Sequence, residues 1–592
     1  MSDGCISSLW EGNPAWLQPN FCASIYTSGL VKPRGLHIGN NDEILLVERG
    51  NSRVVRLDND GTNIVPVAEI NAIEGLGLNH GIELAGGYLY ASTPTTVYRW
   101  PYQTGQITAG NADDVQEVIV GMDRLASDEL GAPDGHTTRT LAFDADDRWL
   151  YVSIGSLGNV DADSFRSRIR RFDIAAWDSV QPLNYNDGEV FADGLRNEVG
   201  LAFDSHGDLW GVENGADRLY RDDLGGDIHN DNPSEELNRF REDQAGETWG
   251  YPYCWSEYCL PVENGGSGMK GANTPWAWPS FINSGYTDDW CEENTNRSVM
   301  SMPAHSAPLG ITFYNWRDMS QEEYNESGCR GLPKSMDKYA FIAFHGSWNR
   351  KPSTGYKVAF VPFDDEGNPT ALPIDLFRHN GNEAEWPDPV RPVDVQFDSC
   401  GSLLVTEDGT GSVIKITYSG GYFDEYSPIE TDVADGASCS PFQLPSSSPT
   451  NSPTKLPTSP PTLPPSSLPS QNPVASAPVP AVPTPIFSSE KPPSPGPISS
   501  AIISPPTLPP SLLPSQNPVV SASVPAVPAP LDSSGKPPLS GPPTRKTEGP
   551  SASAKSWTLE PDNSPNNGFS AMNSLFSGIC ICVCVFYSTV AL

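Results

Sequence analysis

The chain has 592 residues, of which 73 are Asp or Glu and 36 are Lys or Arg, for a formal net charge of -37. Nearly all of the aromatic residues and almost all of the acidic excess precede residue 440. An acidic surface repels the phosphates of nucleic acids and of anionic lipids. The composition therefore excludes nucleic acid as a partner and favours a secreted type of surface.

Residues 1–30 form a predicted N-terminal extension in which no basic segment leads into an apolar one, so no secretory signal is visible. Eight cysteines without metal-ligand spacing lie outside the C-terminal tail: Cys5, Cys22, Cys254, Cys259, Cys291, Cys329, Cys400 and Cys439. An even number of this kind favours disulfides formed in an oxidising compartment.

Two further features of the chain bear on export. Proximity in sequence favours the pairs Cys5–Cys22 and Cys254–Cys259, and Asn296 and Asn325 each begin an N-x-S glycosylation triplet. We therefore expect an extracellular protein whose leader is atypical or missing from the start of the chain.

A strand pattern recurs six times between residues 31 and 425. Each copy has a short strand, a turn and a second, apolar strand, and most copies have a third strand. The second strands read ILLV, YLYAS, WLYVSIG, DLWGVE, YAFIAF and SLLVTE. A unit that recurs about every 40–60 residues is typical of β-propeller blades. The sequence predicts an all-β, six-bladed β-propeller over residues 31–425.

A basic or potentially basic residue opens each of the six copies. These residues are Arg34, His80, His136, Arg196, His305 and Arg391. If the copies are blades, the six side chains form a ring at one mouth of the central channel. A cluster of buried cations is costly unless an anion fills it, and arginine favours the planar binding of carboxylates. The alternative is that each residue only hydrogen-bonds a neighbouring blade.

The C-terminal quarter has a different composition. Residues 440–567 are rich in Pro, Ser and Thr, and the segment that begins at Pro460 returns at Pro505. Proline removes backbone donors, so we predict a disordered, extended stalk. The apolar residues 568–592 predict a glycosylphosphatidylinositol (GPI) anchor signal or, alternatively, a single membrane span, and thus attachment to a membrane.

Seven segments of the repeat region resemble the pyrroloquinoline-quinone (PQQ) dependent sugar dehydrogenases, which include soluble glucose, sorbosone and pyranose dehydrogenases. They are GHTTRTLAF, ADGLRNEVGLAFDSHGDLWGVENGAD, DDLGGDIHNDNPSEELNRF, ETWGYPYCW, HSAPLGI, AFHGSWNRKPSTGYKV and RPVDVQF. The resemblance extends over residues 30–420. It implies a six-bladed propeller, a PQQ cofactor, a calcium ion and the oxidation of a sugar.

The resemblance also assigns roles to individual residues. His136 corresponds to the catalytic histidine that removes the sugar's hydroxyl proton, and the carbonyls of Gly215 and Ala216 correspond to calcium ligands. Arg350 replaces the lysine that soluble glucose dehydrogenases present to PQQ. The residues expected to contact the cofactor are Arg34, His80, Arg196, Asn197, Asn214, His305, Trp348, Arg350 and Arg391.

Two other classes of protein stay open at this point. One is a calcium-dependent lactonase-type propeller, although its metal is held by carboxylates and the ring contains none. The other is a propeller that binds glycans without catalysis. The sequence has no C-x-x-C-H haem motif, so a dehydrogenase requires an external electron acceptor. Asp134 and Asp408 are interpreted as turn residues.

Overall fold

The computed structural model describes residues 15–429, apart from 59–60, 71–76, 107–114, 123–134, 163–164, 261–270 and 382–383. The predicted stalk (440–567) and the predicted anchor segment (568–592) lie outside the described residues. The described residues include two short α-helices, α1 (Asp288–Asn294) and α2 (Gln321–Ser327). Within residues 15–429 as described, no helix has the length and apolar character needed to cross a membrane.

The strands of the described residues are numbered in chain order. They are β1 (Ala15–Leu17), β2 (Phe21–Ser28), β3 (Pro33–Ile38), β4 (Ile44–Glu48), β5 (Arg53–Leu57), β6 (Ile64–Glu69), β7 (Ile82–Ala85), β8 (Tyr88–Ser92), β9 (Val97–Pro101), β10 (Gln116–Val120), β11 (Leu141–Phe143), β12 (Trp149–Ile154), β13 (Arg168–Asp173), β14 (Leu183–Asn184), β15 (Glu189–Asp193), β16 (Glu198–Phe203), β17 (Leu209–Glu213), β18 (Tyr220–Arg221), β19 (Gly226–Asp227), β20 (Glu235–Phe240), β21 (Glu247–Thr248), β22 (Cys254–Ser256), β23 (Pro275–Ala277), β24 (Met300–Met302), β25 (Pro308–Phe313), β26 (Ala340–Phe344), β27 (Lys357–Val361), β28 (Ile374–His379), β29 (Pro392–Phe397), β30 (Leu403–Glu407) and β31 (Ser412–Tyr418).

Six antiparallel sheets form six blades, which confirms the predicted propeller. The blades are built on β3–β6, β7–β10, β11–β13 with β15, β16–β17 with β20 and β24, β25–β28, and β29–β31 with β2. Their innermost strands follow one another in a closed ring, because β3 contacts β7, β7 contacts β11, and so on until β29 contacts β3. The six sequence copies therefore correspond to the six blades.

The N-terminal strands belong to the propeller, so the predicted boundary at residue 31 is wrong. β2 pairs antiparallel with β31 and supplies the outermost strand of blade six. β1 pairs antiparallel with β28 and extends blade five. The first described residues thus join the two ends of the repeat region, which closes the ring through main-chain hydrogen bonds.

The second strand of each blade is apolar throughout because both of its faces are buried between neighbouring blades. In β12, Leu150 and Val152 pack with blade two, whereas Tyr151 between them packs with blade four. In β4, Leu45 and Val47 pack with blade two, and the residues beside them pack with blade six. Side chains alternate along a strand, so continuous apolar runs are what sheets stacked face to face require.

Glycines let the innermost strands approach one another closely around the axis. A Cβ atom added to Gly35 would lie 2.1 Å from the carbonyl oxygen of His80 in the next blade, and one on Gly81 would lie 2.2 Å from that of Arg139. Side chains then tie the blades together, as in the hydrogen bond of 2.8 Å from the Thr406 hydroxyl to the Arg34 carbonyl. The strand starts are therefore fixed relative to one another.

One disulfide lies within the long insertion between Asp222 and Ala304, and a second joins blade five to blade six. Cys254 pairs with Cys291 of α1, and Cys329 pairs with Cys400. The predicted pair Cys254–Cys259 is therefore wrong, because the extended strand β22 carries the chain away from Cys254. Cys22 is also disulfide-bonded. Cys5 and Cys439 lie outside the described residues, so the pair Cys5–Cys22 stays a prediction.

The close approach at the axis can be tested with Gly35→Ala. The added methyl group would meet the His80 carbonyl at 2.1 Å, so we expect the free energy of unfolding to fall by about 1–3 kcal/mol. Gly158→Ala is the matched control, because no atom lies within 4 Å of its added Cβ. Urea unfolding of both variants measures the difference. Equal stability of the two would contradict the tight axial packing.

Candidate active site

All six predicted ring residues lie at or just before the start of an innermost strand, at the same end of the propeller. Only three of them line one pocket. The pocket has a volume of about 180 Å³, and its lining residues are Gly135, His136, Leu157, Gly158, Asn159, Arg196, Asn214, Gly215, Asp217, Glu235, His305, Ala307, Trp348 and Asn349. This pocket therefore brings together His136, Arg196 and His305, and the ring of six side chains stays a prediction.

His136 presents one defined nitrogen as a proton acceptor. Its Nδ1 lies 3.0 Å from both the carbonyl and the hydroxyl oxygen of Ser156. The Ser156 hydroxyl donates to the Gly158 carbonyl at 2.6 Å, so towards the imidazole it acts as an acceptor. Nδ1 therefore carries the proton and Nε2 carries the lone pair. Burial, and then the charge of Arg196, lower the pKa of His136 to about 3.

The Arg196 guanidinium, by contrast, uses all five of its N–H groups within the protein. Nε donates to the Asn159 carbonyl at 3.3 Å, and Nη1 donates to the carbonyls of Asn214 at 3.2 Å and Gly215 at 2.6 Å. Nη2 donates to the side chains of Asn159 at 3.1 Å and Asp217 at 3.0 Å. These bonds fix Arg196 against the turn that follows β17.

Carboxylates also line the pocket, although none was predicted there. Asp217 Oδ1 accepts a hydrogen bond of 2.6 Å from Asn349 and lies 3.6 Å from His305 Nδ1. Glu235 accepts from the backbone N–H groups of Gly215 at 2.7 Å and Ala307 at 3.2 Å. Burial raises the pKa of Glu235 to about 8, so this carboxyl is mostly protonated at neutral pH.

A second buried cluster contains two of the remaining ring residues. Asp408 lies in the turn after β30, as predicted, and it also accepts hydrogen bonds of 2.8 Å from Arg34 and from His345 Nε2. Burial disfavours the charged form of Asp408, but the attraction of His345 and Arg34 outweighs it and holds the pKa of Asp408 below its usual range. Burial and the charge of Arg34 lower the pKa of His80. Asp134 lies outside the described residues.

Several residues predicted to hold the cofactor make protein contacts instead. Arg391 donates to the carbonyls of His345 and Gly346. The Arg350 guanidinium is fully buried and pairs with Asp231 at 2.9 Å, and its predicted contact with the cofactor stays a prediction. The structure gives it an internal partner, so its charge is already neutralised.

Two asparagines and an alanine complete the comparison with the predicted site. Asn214 reaches the pocket but donates its amide to the Pro308 carbonyl of the next blade at 2.8 Å. Asn197 is buried behind the pocket, and its backbone carbonyl accepts from Asn214 N. Ala216 packs into an apolar cluster of the insertion. Trp348 does line the pocket, with 56 % of its surface exposed.

Sequence reasoning missed the residues that orient the site, namely Ser156, Asn159, Asp217, Glu235 and Asn349. Asp217 and Asn349 both stood in the motifs that carried the resemblance, ENGAD and SWNR. A search restricted to basic residues passed over them. No sequence signal marked Asn159, because its role depends on a loop from blade three meeting the turn after β17.

The state of His136 can be tested through stability. The unfolded chain takes up a proton near pH 6.5, whereas folded His136 does so only near pH 3, so acidification between these values disfavours the folded state. His136→Gln removes this contribution. We compare how much the free energy of unfolding decreases between pH 7 and pH 4. We expect this decrease to be smaller for His136→Gln than for the wild type, by roughly 1–3 kcal/mol.

His206→Gln is the matched control for this measurement, because His206 lies exposed in the turn between β16 and β17. Urea unfolding at the two pH values should give the wild-type pH dependence for this control. A His136→Gln variant with an unchanged pH dependence would show that the imidazole titrates normally in the folded state.

The sequence and the fold match known proteins. The TrAA12-like family model covers residues 15–419. A PQQ-dependent pyranose dehydrogenase of Coprinopsis cinerea is 30% identical over 422 residues, which are 66% of this chain and 52% of that protein. A PQQ-dependent sugar dehydrogenase of Hypocrea jecorina is 29% identical over 421 residues, which are 67% of this chain and 87% of that protein.

Two solved structures resemble the propeller. The holo form of the pyranose dehydrogenase PQQ domain from Coprinopsis cinerea has a TM-score of 0.57 at 26% identity and covers 70% of this chain and 99% of that one. The calcium structure of the Trichoderma reesei AA12 enzyme has a TM-score of 0.57 at 27% identity, with 68% and 97% covered. The chain spans about half the length of the Coprinopsis relative. The family model alone matches more than half of the chain, and the chain therefore belongs to the TrAA12-like family.

Proposed function

We propose that this protein is an extracellular quinoprotein that oxidises a sugar, an aldose or a 2-keto sugar, with PQQ as cofactor. The observation that carries the proposal is the His136 imidazole, held as a neutral acceptor in a pocket beside Arg196 and the open indole of Trp348. The names of the relatives from Coprinopsis cinerea and Hypocrea jecorina support the same activity.

The pocket fits a planar polar ligand with a hydroxyl-bearing substrate beside it. Trp348 offers an exposed aromatic face on which a planar ring can stack. Asp217 and Glu235 add acceptors for hydroxyl groups. Bound PQQ would supply the hydride acceptor that the side chains themselves lack. Arg196 contributes a fixed positive charge rather than free donors, because its N–H groups are already used.

The chain's own residues account for the proton transfer. Nε2 of His136 accepts the sugar's hydroxyl proton, while Ser156 holds Nδ1–H in place. Burial and Arg196 keep the imidazole neutral above about pH 3, so the basic form is present throughout the neutral and mildly acidic range. Arg196 also favours the negative charge that develops on the substrate oxygen as the proton leaves.

The calcium site implied by the resemblance does not fit the described residues. The Gly215 carbonyl accepts a 2.6 Å hydrogen bond from the Arg196 guanidinium, and a divalent cation at this oxygen would meet that positive charge. Ala216 is not among the residues that line the pocket. We therefore assign no calcium to this site.

Electrons from the reduced cofactor go to an external acceptor, which we propose is a quinone, a cytochrome or the haem domain of another protein. The absence of a C-x-x-C-H motif from the sequence supports an external acceptor. A cell-surface location through the C-terminal segment is part of the same proposal, and the disulfides Cys254–Cys291 and Cys329–Cys400 support an oxidising compartment.

Reconstitution of the protein with PQQ tests the function. We expect reduction of an artificial dye with pyranose sugars as electron donors. His136→Ala should lower turnover by about 10²–10⁴-fold while PQQ binding, followed by fluorescence titration, stays within a few-fold of wild type. His206→Ala is the control, because this histidine lies exposed in the turn between β16 and β17, away from the pocket.

Other outcomes of the reconstitution discriminate the alternatives. Tight binding of glycans without dye reduction would replace the proposal by a glycan-binding propeller. Hydrolysis of lactones in the absence of PQQ would replace it by a hydrolase. Full activity of His136→Ala would remove His136 from the role of base.

Export can be tested at the two glycosylation triplets. Asn296 is partly exposed after α1, and Asn325 is exposed on α2, so solvent reaches both side chains. We expect N-glycosidase treatment of the protein from a eukaryotic secretory host to reduce its mass, and Asn296→Gln with Asn325→Gln to abolish that shift. If N-glycosidase changes the mass of the double variant as much as that of the wild type, neither site is used.

A further inference from the structure

Five oxygen atoms converge on the Arg196 guanidinium. They are the backbone carbonyls of Asn159, Asn214 and Gly215 and the side-chain oxygens Oδ1 of Asn159 and Oδ2 of Asp217, at 2.6–3.3 Å from the donor nitrogens. We call these five atoms the oxygen cradle. Carbonyl and carboxylate oxygens grouped in this way are the ligands that hard cations prefer in proteins.

The oxygen cradle is held in place by hydrogen bonds that do not involve the guanidinium. Asn159 Oδ1 accepts from Asp217 N at 2.7 Å, and Asn159 Nδ2 donates to the Asp217 carbonyl at 2.7 Å. Gly215 N donates to Glu235, and Asn214 N donates to the Asn197 carbonyl. The oxygens would therefore stay close together if the arginine side chain were removed.

The charges at the oxygen cradle balance with one monovalent cation. Among the five cradle oxygens, Asp217 Oδ2 is the one that belongs to a carboxylate, so Asp217 supplies the negative charge. The Arg196 guanidinium neutralises Asp217 at 3.0 Å. A divalent ion on the same oxygens would be repelled by the guanidinium and would have to displace it.

We propose that the Arg196 side chain is the resident cation of the oxygen cradle, so that the pocket is assembled without calcium. The inference concerns the protein alone and goes beyond the proposed sugar oxidation. It explains why the arginine that opens blade four lines the pocket but donates all of its N–H groups to oxygens of the protein. It also predicts that a vacant cradle acquires affinity for a divalent cation.

Calcium binding to wild type and to Arg196→Ala tests the proposal directly. Equilibrium dialysis with radioactive calcium measures binding, and the midpoint of thermal unfolding is compared in calcium and in a chelator. We expect the wild type to bind no calcium at the cradle and to show the same midpoint in both solutions. Arg196→Ala should bind calcium at least tenfold more tightly than wild type and be stabilised by it.

Two further variants locate the binding. The double variant Arg196→Ala with Asp217→Asn should lose the acquired binding, because the only carboxylate of the cradle is neutralised. Arg148→Ala is the control, since Arg148 pairs with Asp173 on the exposed edge of blade three. It should bind calcium no better than wild type. If Arg196→Ala does not fold, Arg196→Met keeps more of the side-chain volume and serves the same purpose.

Calcium bound by the wild type and lost in Asp217→Asn alone would overturn the proposal, because the cradle would then hold the metal in the presence of Arg196. Folded Arg196 variants that bind no calcium would overturn it as well, because the oxygens would not form a cation site. The affinity of the wild type for PQQ is measured separately in a chelator. Its loss would count against the proposed cofactor, and would leave the calcium result unaffected.

Discussion

The structure depends on the close approach of six innermost strands around one axis. Gly35 and Gly81 permit this approach, because any side chain there would meet a backbone carbonyl of the next blade. Once the strands are in contact, their starting residues meet at one end of the molecule. The outer strand β2 then completes blade six, so that main-chain hydrogen bonds tie the segment before blade one to the last blade. The pocket is a consequence of this closure.

At the pocket, the Arg196 side chain binds other groups of the protein and has no N–H donor left over for a ligand. Each donor of Arg196 meets an oxygen of the protein, and Asp217 neutralises its charge. A positive group fixed in this way stabilises the neutral imidazole of His136 and the turn after β17 at the same time. The same guanidinium therefore links the base, the pocket wall and the charge balance of the site.

The apolar second strands and the repeated basic starts were sufficient to predict the number of blades, because each sequence copy encodes one complete supersecondary unit. Three of the residues predicted from the sequence, His136, Arg196 and His305, line the pocket. The boundary at residue 31 failed for a physical reason. β2 pairs with β31, about 390 residues later, and pairing at such a distance leaves no local pattern.

The sequence by itself determined the fold class, the six-fold repeat and the types of residue at the strand starts, since these follow from local periodicity. Only the tertiary structure decided which charged side chains form ion pairs inside the protein and which cysteines form a disulfide. Arg34 and Arg350 are neutralised by Asp408 and Asp231, and Cys254 reaches Cys291. Each partner comes from a different blade or from the insertion, and an ion pair depends on distance in space and not on position in the chain.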